Sequence, residues 1–152
     1  MKELNNVLKK EQHDTFEAFA KSEMTLWNYL GDKVGKNDVF IHQIYDNNTI
    51  KSRIYDKFYP LITGLGVQFK SIDLLQFVKI PKLIEKGMDF MTTNQQINVI
   101  YLLNDVKING VLTPSGTTII QKDGEDENNI NIQSDGSESV NFIWLVLGKI
   151  NS

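Results

Sequence analysis

The spacing of apolar residues predicts a helical first half of the chain. From Glu3 to Leu30, apolar residues recur at steps of three and four, which is the period of an amphipathic helix. Asp14 followed by Glu17 resembles a capping box. The segment is therefore predicted to form either one long helix or two helices, Lys2–Gln12 and Thr15–Leu30.

Weaker helical patterns follow in the rest of the first half. Residues 47–49 (Asn-Asn-Thr) offer N-cap chemistry for a second helix that runs through Tyr59. Ser71 can cap a third helix, and Pro81 begins or kinks a further helical turn. Between these patterns, Val39 to Tyr45 is a short strand candidate. Two or three shorter helices are thus expected after the long one.

The second half of the chain has the period of strands. Ile97 to Leu103 alternates and ends at Asn104-Asp105, which is predicted to be a two-residue hairpin turn before a strand that begins at Val106. The last strand, Val140 to Leu147, is apolar on both faces from Ile143 onward. Such a strand is buried on both sides, either in the centre of a covered sheet or against another subunit.

Helices grouped before strands predict an α+β fold. The length of 152 residues fits one domain. We expect a single domain, 1–152, in which a helical part, roughly 1–87, packs on a strand-rich part, roughly 88–150. The strand-rich part is predicted to be an antiparallel sheet, a small sandwich or a barrel.

Composition removes several classes of function. The chain has no cysteine, which excludes disulfides, thiolate zinc sites and cysteine nucleophiles. A net charge of −3 and a single arginine, Arg53, make nucleic acid an unlikely partner. The longest apolar run, Phe142 to Leu147, is far shorter than the ~20 residues of a membrane helix, and the polar N-terminus has no signal peptide pattern. We therefore expect no membrane partner.

The two histidines do not form a recognisable reactive site in the sequence. His13 and Glu17 lie four residues apart on the predicted helix and could share a metal ion, but no third ligand is suggested nearby. A Ser–His–Asp arrangement of His42, Asp46 and Ser52 can be written, but no nucleophile elbow accompanies it. A solvated helix face and a structural histidine are the simpler interpretations.

Three further groups of residues are candidate binding sites. The acidic loop from Asp123 to Asn129 alternates oxygen ligands as hard cations prefer, but its glycine position excludes an EF-hand, so a looser cation site and a solvated loop both stay open. Tyr45 and Tyr55 could stack on a sugar or a base near Arg53, or belong to the core. Glu85 and Asp89 lie four residues apart without any sign of burial.

The long helix and the last strand are the predicted interaction surfaces. A continuous helix over residues 3–30 would be about 42 Å long at 1.5 Å per residue, which exceeds the diameter of roughly 40 Å expected for the domain. The alternative is a helix that wraps the domain and buries its own apolar stripe. The predicted interface residues are Phe16, Phe19 and Trp27 of the helix, with Ile143, Leu145 and Leu147 of the strand.

These features together favour an assembly protein without catalytic residues, metal or cofactor. We expect a homo-oligomeric structural component of a bacteriophage virion, such as a capsid decoration, fibre or tail accessory protein. Its partners would be copies of itself and other particle proteins, and it would be found in the virion or assembled particle, otherwise in the cytoplasm. The alternative is a cytosolic module that binds a small molecule or a protein, or a small enzyme with a site between the helices and the sheet.

Overall fold

The computed structural model describes residues 2–22, 28–34, 37–80, 87–90, 95–122, 129–136 and 139–150. In these ranges strands dominate, and the helices are two and short. The strands are β1 (Lys2–Leu4), β2 (Asn28–Val34), β3 (Asn37–Asp46), β4 (Thr49–Ile50), β5 (Ser71–Ile80), β6 (Met88–Phe90), β7 (Gln96–Leu102), β8 (Val106–Ile108), β9 (Val111–Thr113), β10 (Thr118–Lys122), β11 (Ile130–Ser134) and β12 (Val140–Gly148). The helices are α1 (Lys10–Ser22) and α2 (Tyr59–Gly64), and a 3₁₀ turn, Tyr55–Phe58, precedes α2.

The strands form two antiparallel sheets. The large sheet has the order β1-β10-β7-β12-β5-β3-β2, with β4 paired to β3, and the small sheet has the order β6-β11-β8-β9. The eight strands from β5 to β12 form two four-stranded layers, β5-β12-β7-β10 and β6-β11-β8-β9, which is the arrangement of a jelly roll. β1 and β3, with β2 and β4, extend the large sheet at its two edges.

The large sheet is covered on both faces by separate apolar cores. The inner core lies between the sheets and joins Ile100 and Phe142 of the large sheet to Ile130 of the small one. The outer core lies between the large sheet and the helices, where Phe16 of α1 packs with Leu145 of β12. β12 lies between β5 and β7. The prediction of a final strand buried on both sides is therefore confirmed, and it is the centre of a covered sheet.

The predicted helical half is wrong. In the described part of residues 3–30, the chain forms β1, a helix α1 that ends at Ser22, and the start of β2, instead of one or two long helices. Asn6 adopts a left-handed φ of 60°, which interrupts any helix between Leu4 and α1. The side chain of Gln12 accepts a hydrogen bond from the N–H of Lys9 (2.9 Å), so the helix begins at Lys10. Leu4 and Leu8 fitted a helical period because both contact the outer core from outside the helix.

The second and third predicted helices are also wrong. Asn47 and Asn48 have φ values of 46° and 67°, which form a two-residue hairpin turn between β3 and β4 rather than an N-cap. The segment that begins at Ser71 is strand β5, paired with β12 and β3. Because both faces of β5 are covered, its apolar residues do not alternate, and a short run of this kind resembles a buried helix.

The strand-rich half is antiparallel as predicted, but one turn was misplaced. Asn104-Asp105 joins β7 of the large sheet to β8 of the small sheet, so it is not a hairpin turn. The hairpin turn lies at Asn109-Gly110, with φ values of 50° and 82°, between β8 and β9. Neither helix in the described ranges has the length and apolar character required to cross a membrane.

Candidate functional site

The inner face of the large sheet carries a cluster of buried amide side chains. Gln76, Asn98 and Gln121 are 6%, 4% and 0% exposed. Each follows an apolar residue on its strand, β5, β7 and β10 respectively. Asn98 lies directly opposite Gln121, and in the adjacent row Gln76 lies opposite both Trp144 and Gln43. These amides make one part of the space between the sheets polar, beside the aliphatic and aromatic residues of the inner core.

A line of hydrogen bonds crosses this polar end from one sheet to the other. Trp144 Nε1 donates to Asn98 Oδ1 (3.2 Å), and Asn98 Nδ2 donates to Gln121 Oε1 (3.1 Å). Gln121 Nε2 then donates to the carbonyl oxygen of Phe90 in the small sheet (3.2 Å). We call these four residues the amide chain. Each residue donates to the next one along the line, from Trp144 to Asn98, to Gln121 and to the Phe90 carbonyl. This order fixes which end of each side-chain amide is the oxygen and which is the nitrogen.

Aromatic rings form the wall beside the amide chain. The ring of Phe90 meets the indole of Trp144 edge to face at 5.2 Å, and meets the ring of Phe142 in the same way at 5.5 Å. Such contacts favour one side-chain arrangement over its alternatives. The site therefore combines fixed neutral donors and acceptors with flat apolar surfaces.

The site carries no charge among the residues that the structure describes there. The amide chain and the apolar residues of the inner core contain no ionisable side chain. Burial lowers the pKa of Lys79, but this lysine lies on the opposite face of the sheet, where its Nζ donates to the carbonyl oxygen of Ala20 (3.2 Å). The amide chain therefore offers hydrogen-bonding groups beside aromatic rings, and its four residues include no acid, base or counter-ion.

The predicted interface residues lie in the chain's own outer core. Phe16 is 2% exposed, and the three residues of the last strand are fully buried. Phe19 packs against the same core. The structure brings these five residues together, covered by the chain itself, and Trp27 lies outside the described residues. A role for them between subunits stays an untested prediction.

The other predicted groups have ordinary surroundings in the structure. His13 Nε2 lies 3.4 Å from Glu17 Oε2, but within the described ranges no three metal-ligating side chains come together. His42 packs edge to face on Phe19 at 5.1 Å. Tyr45 stacks on Tyr55 at 5.4 Å, and burial raises the pKa of Tyr55.

The acidic groups of the second half are described only in part. Residues 123–128 of the candidate cation loop and Glu85 lie outside the described residues. Asp89 is exposed, and its Oδ1 accepts hydrogen bonds from Asn129 Nδ2 (3.2 Å) and Asn131 Nδ2 (2.8 Å). Asp89 is therefore bound by amides of the neighbouring strand and not paired with a second acid in the described part of the chain.

Sequence reasoning missed the amide chain. The available signal was an amide beside apolar residues in each of three strands, at Gln76, Asn98 and Gln121. That signal requires β5 to be recognised as a strand and the three strands to be placed in one sheet. Neither step follows from the local period.

Comparison with known proteins identifies the fold. No protein-family model and no curated protein sequence matches the chain. Among solved structures, an oxidoreductase of the 2OG-Fe(II) oxygenase family from Burkholderia pseudomallei aligns with a TM-score of 0.62 at 10% identity, over 97% of this chain and 85% of that one. A prolyl-4-hydroxylase from Pseudomonas putida aligns with a TM-score of 0.59 at 9% identity, over 99% and 92% of the two chains. A predicted oxalate decarboxylase from Thermotoga maritima aligns with a TM-score of 0.50 at 14% identity, over 85% and 97%.

These structures define the chain as a cupin-like jelly roll, and at such identities they show the fold alone. The likeness contradicts the expectation of a non-enzymatic structural protein of a virion, because this fold is the one found in an oxygenase, a hydroxylase and a decarboxylase. The long N-terminal helix that was expected to supply a docking surface is also absent from the described residues. The alternative prediction, a small-molecule-binding module or a small enzyme, agrees better with the fold.

The residues of this chain do not fit the iron centre for which the oxygenase is named. A non-haem Fe(II) site of this type uses two histidines and a carboxylate. The chain has only two histidines, and both lie on the outer face of the large sheet, His13 against Tyr101 of β7 and His42 on β3. β7 and β3 are separated by β12 and β5, so the two positions are about 14 Å apart at ~4.8 Å per strand.

Proposed function

We propose that the chain is a small-molecule-binding protein of the cupin-like jelly-roll class, with its ligand between the two sheets at the amide chain. The mouths of β-barrels are frequent positions for small-molecule sites. The observation that carries the proposal is the amide chain itself, a hydrogen-bonded polar group of residues between the two sheets, beside the apolar inner core.

The energetics of burial support a functional origin for these amides. A buried amide costs about 1–3 kcal/mol unless it is hydrogen-bonded, whereas an aliphatic side chain of similar shape stabilises the core. The apolar inner core beside these amides is built mainly from Ile, Val, Leu and Phe. A core that departs from this pattern at Gln76, Asn98 and Gln121 is expected at a functional site.

The chemistry of the site defines the class of ligand. Amides donate and accept hydrogen bonds, and the rings of Trp144 and Phe90 offer flat apolar faces. A dicarboxylate such as 2-oxoglutarate would need a cation, and the described side chains of the inner core supply none. The ligand is therefore an uncharged, planar molecule with donors and acceptors along one edge.

Chemical conversion of the bound molecule is the second candidate function. It is favoured by the enzymes that share the fold, among them a non-heme alpha ketoglutarate dependent epimerase with a TM-score of 0.62. Because the two histidines lie on the outer face, such a reaction would not use a two-histidine iron centre between the sheets.

The proposal is tested by NMR of the tryptophan indole groups, with nicotinamide and uracil as uncharged planar probes. The chain has two tryptophans, so the Trp144 indole resonance can be assigned with a Trp144→Phe variant. We expect either probe to shift this resonance in a saturable way. Asn98→Leu/Gln121→Met should abolish the shift while the protein stays folded, and Gln68→Met, a change at an exposed amide, should leave it intact.

Two results would contradict this function. One is an indole resonance that responds to neither uncharged probe. The other is a response to 2-oxoglutarate with Fe(II), kept under anaerobic conditions, that exceeds the response to nicotinamide and uracil. In that case the site would recognise a dianion and a metal, contrary to its side chains.

A further inference from the structure

A cleft opens on the outer face of the large sheet, opposite the face that carries the amide chain. It has a volume of about 350 Å³ and lies between the connection from β1 to α1 and the turn from β9 to β10. Asn5 and Asn6 line one side, and Ser115 lines the other. His13 of α1 and Tyr101 of β7 form its base. The amide chain lies on the inner face of the same sheet, so the two sites are separate.

A tight turn presents the serine to this cleft. The N–H of Thr117 donates to the carbonyl oxygen of Pro114 (3.2 Å), and Gly116 has a φ of +89°. These features define a type II turn, in which only glycine adopts the third position without strain. Ser115 occupies the second position, and its Oγ lies 2.9 Å from His13 Nε2.

The hydrogen bonds of the base determine which atoms can act on a ligand. Burial raises the pKa of Tyr101 far above its usual range, so its phenol stays protonated. The phenol oxygen lies 2.6 Å from His13 Nδ1. His13 Nε2 lies 3.4 Å from Glu17 Oε2, and because a carboxylate only accepts hydrogen bonds, Nε2 carries a proton, which Ser115 Oγ at 2.9 Å also accepts. The hydroxyl of Ser115 accepts from the histidine and keeps its own O–H to donate into the cleft.

This arrangement does not suit a nucleophilic serine. A histidine with its proton on Nε2 cannot accept the proton of Ser115. The three backbone N–H groups of the turn are also engaged, those of Ser115, Gly116 and Thr117 with Asp105 Oδ1 (2.8 Å), the Leu102 carbonyl (2.8 Å) and the Pro114 carbonyl (3.2 Å). None of them is available to stabilise an oxyanion. The cleft is built for binding.

The charges around the cleft disfavour an anion. Lys10 Nζ, the one ammonium group among the described lining residues, is paired with Asp14 Oδ2 at 3.0 Å. Asp14 and Glu17 both contribute to the raised pKa of Tyr101, so the potential at the base is negative. The lining otherwise offers hydroxyl and carboxamide groups, with the pyrrolidine ring of Pro114 as an apolar face.

We propose that this cleft binds a small neutral ligand with several hydroxyl groups, of the monosaccharide class. Ser115 donates to a ligand oxygen, and the side-chain amides of Asn5 and Asn6 pair with neighbouring hydroxyls. The ring of Pro114 packs on the apolar face of the sugar. A volume of about 350 Å³ is at the lower end of the range for small-molecule pockets, roughly 300–1,000 Å³.

The proposal is tested by titration of ¹⁵N-labelled protein with D-glucose, D-mannose and D-galactose. At least one sugar should shift the backbone amides of Ser115, Gly116 and Thr117 in a saturable way. Ser115→Ala should weaken that binding about 3–10-fold, the loss of one neutral hydrogen bond. Ser52→Ala, a serine that accepts a backbone hydrogen bond far from the cleft, should leave it unchanged.

The wild-type titration maps the site independently of any variant. The proposal is overturned when none of the three sugars shifts these amides in a saturable way. It is also overturned when inorganic phosphate shifts them and the sugars do not, because the cleft would then be an anion site.

Discussion

Asn98 is the residue on which the hydrogen bonds between the sheets converge. Its Oδ1 accepts from Trp144 and its Nδ2 donates to Gln121. In a low-dielectric interior each of these bonds is strong, and each group left without a partner is costly. The effect of a substitution at Asn98 therefore depends on whether the neighbouring polar groups are changed with it.

Asn98→Leu alone should lower the free energy of unfolding by about 1–3 kcal/mol, because these contacts of Trp144 Nε1 and Gln121 Oε1 are lost. The triple variant Asn98→Leu/Gln121→Met/Trp144→Phe removes the polar groups together. It should recover stability to within about 1 kcal/mol of the wild type. Urea denaturation measures both variants, with the exposed Gln68→Met as the control. A triple variant less stable than Asn98→Leu would show that the amides stabilise the fold in their own right.

Tyr101 should make the protein sensitive to alkaline pH. Burial raises its pKa in the folded state, whereas the unfolded chain has a pKa of about 10. The folded state then holds the proton more tightly, so this stabilisation is complete below about pH 10 and falls by about 1.4 kcal/mol per pH unit above it. Tyr101→Phe should remove that slope. Tyr55 and Lys79 contribute equally to the pH dependence of the free energy of unfolding in both proteins, so the difference between wild type and variant reports Tyr101 alone. Equal slopes in the two proteins would refute the assignment of the alkaline slope to Tyr101.

At the scale of elements, α1 shows how a helix can be recognised and misjudged in length. Its buried residues, Phe16 and Ala20, follow the helical period and pack on the outer face of the large sheet. The three- and four-residue spacing of apolar residues also extends back into β1. Leu4 of β1 and Leu8 of the following loop contact the same core as α1, so they fall at helix-like intervals without being in a helix. Only tertiary contacts distinguish these cases, among them the pairing of Lys2 with Ile120.

Phe16→Ala should destabilise the protein by about 3–5 kcal/mol, the usual cost of removing a buried phenylalanine. Phe16 stacks on Phe58 at 4.6 Å and meets Phe77 edge to face at 6.0 Å, so its removal opens a cavity under α1. Val111→Ala, at a residue that is 67% exposed, should cost less than about 0.5 kcal/mol. Thermal and urea unfolding check both. A small effect at Phe16 would indicate that α1 is only loosely held on the sheet.

The strands differ in how far the sequence could predict them. β7 and β12 were recognisable, β7 by its approximate alternation and β12 by its continuous apolar run. β5 was not, because two covered faces remove the alternation that identifies a strand. The pairing of β5 with β12 joins residues about 70 positions apart, as Phe77 with Ile143. The local period of apolar residues carries no information on such long-range strand pairs. Because the jelly roll and the amide chain both depend on these pairs, neither could be predicted from the sequence.

At the scale of the whole molecule, the large sheet is shared by both cores. Its inner face meets the small sheet and its outer face meets α1 and α2. β12 and β7 are central in this sheet, whereas β9 is an edge strand of the small sheet and, within the described residues, pairs only with β8. Val111 and Leu112 of β9 are largely exposed. Stability should therefore be unevenly distributed, highest at the centre of the large sheet and lowest at the edge of the small one.

Hydrogen exchange should resolve this difference. Amides of β12 are bonded on both sides and buried under both cores, so their exchange requires global unfolding. Amides of β9 should exchange at least about a hundredfold faster, a difference of roughly 2.7 kcal/mol in opening free energy. In Asn98→Leu, the opening free energy of the β12 amides should fall by the same amount as the free energy of unfolding measured in urea. The opening free energy of the β9 amides should change little. Equal protection of β9 and β12 in the wild type would mean that the two sheets unfold as one unit. The edge of the small sheet would then be held as firmly as the shared core.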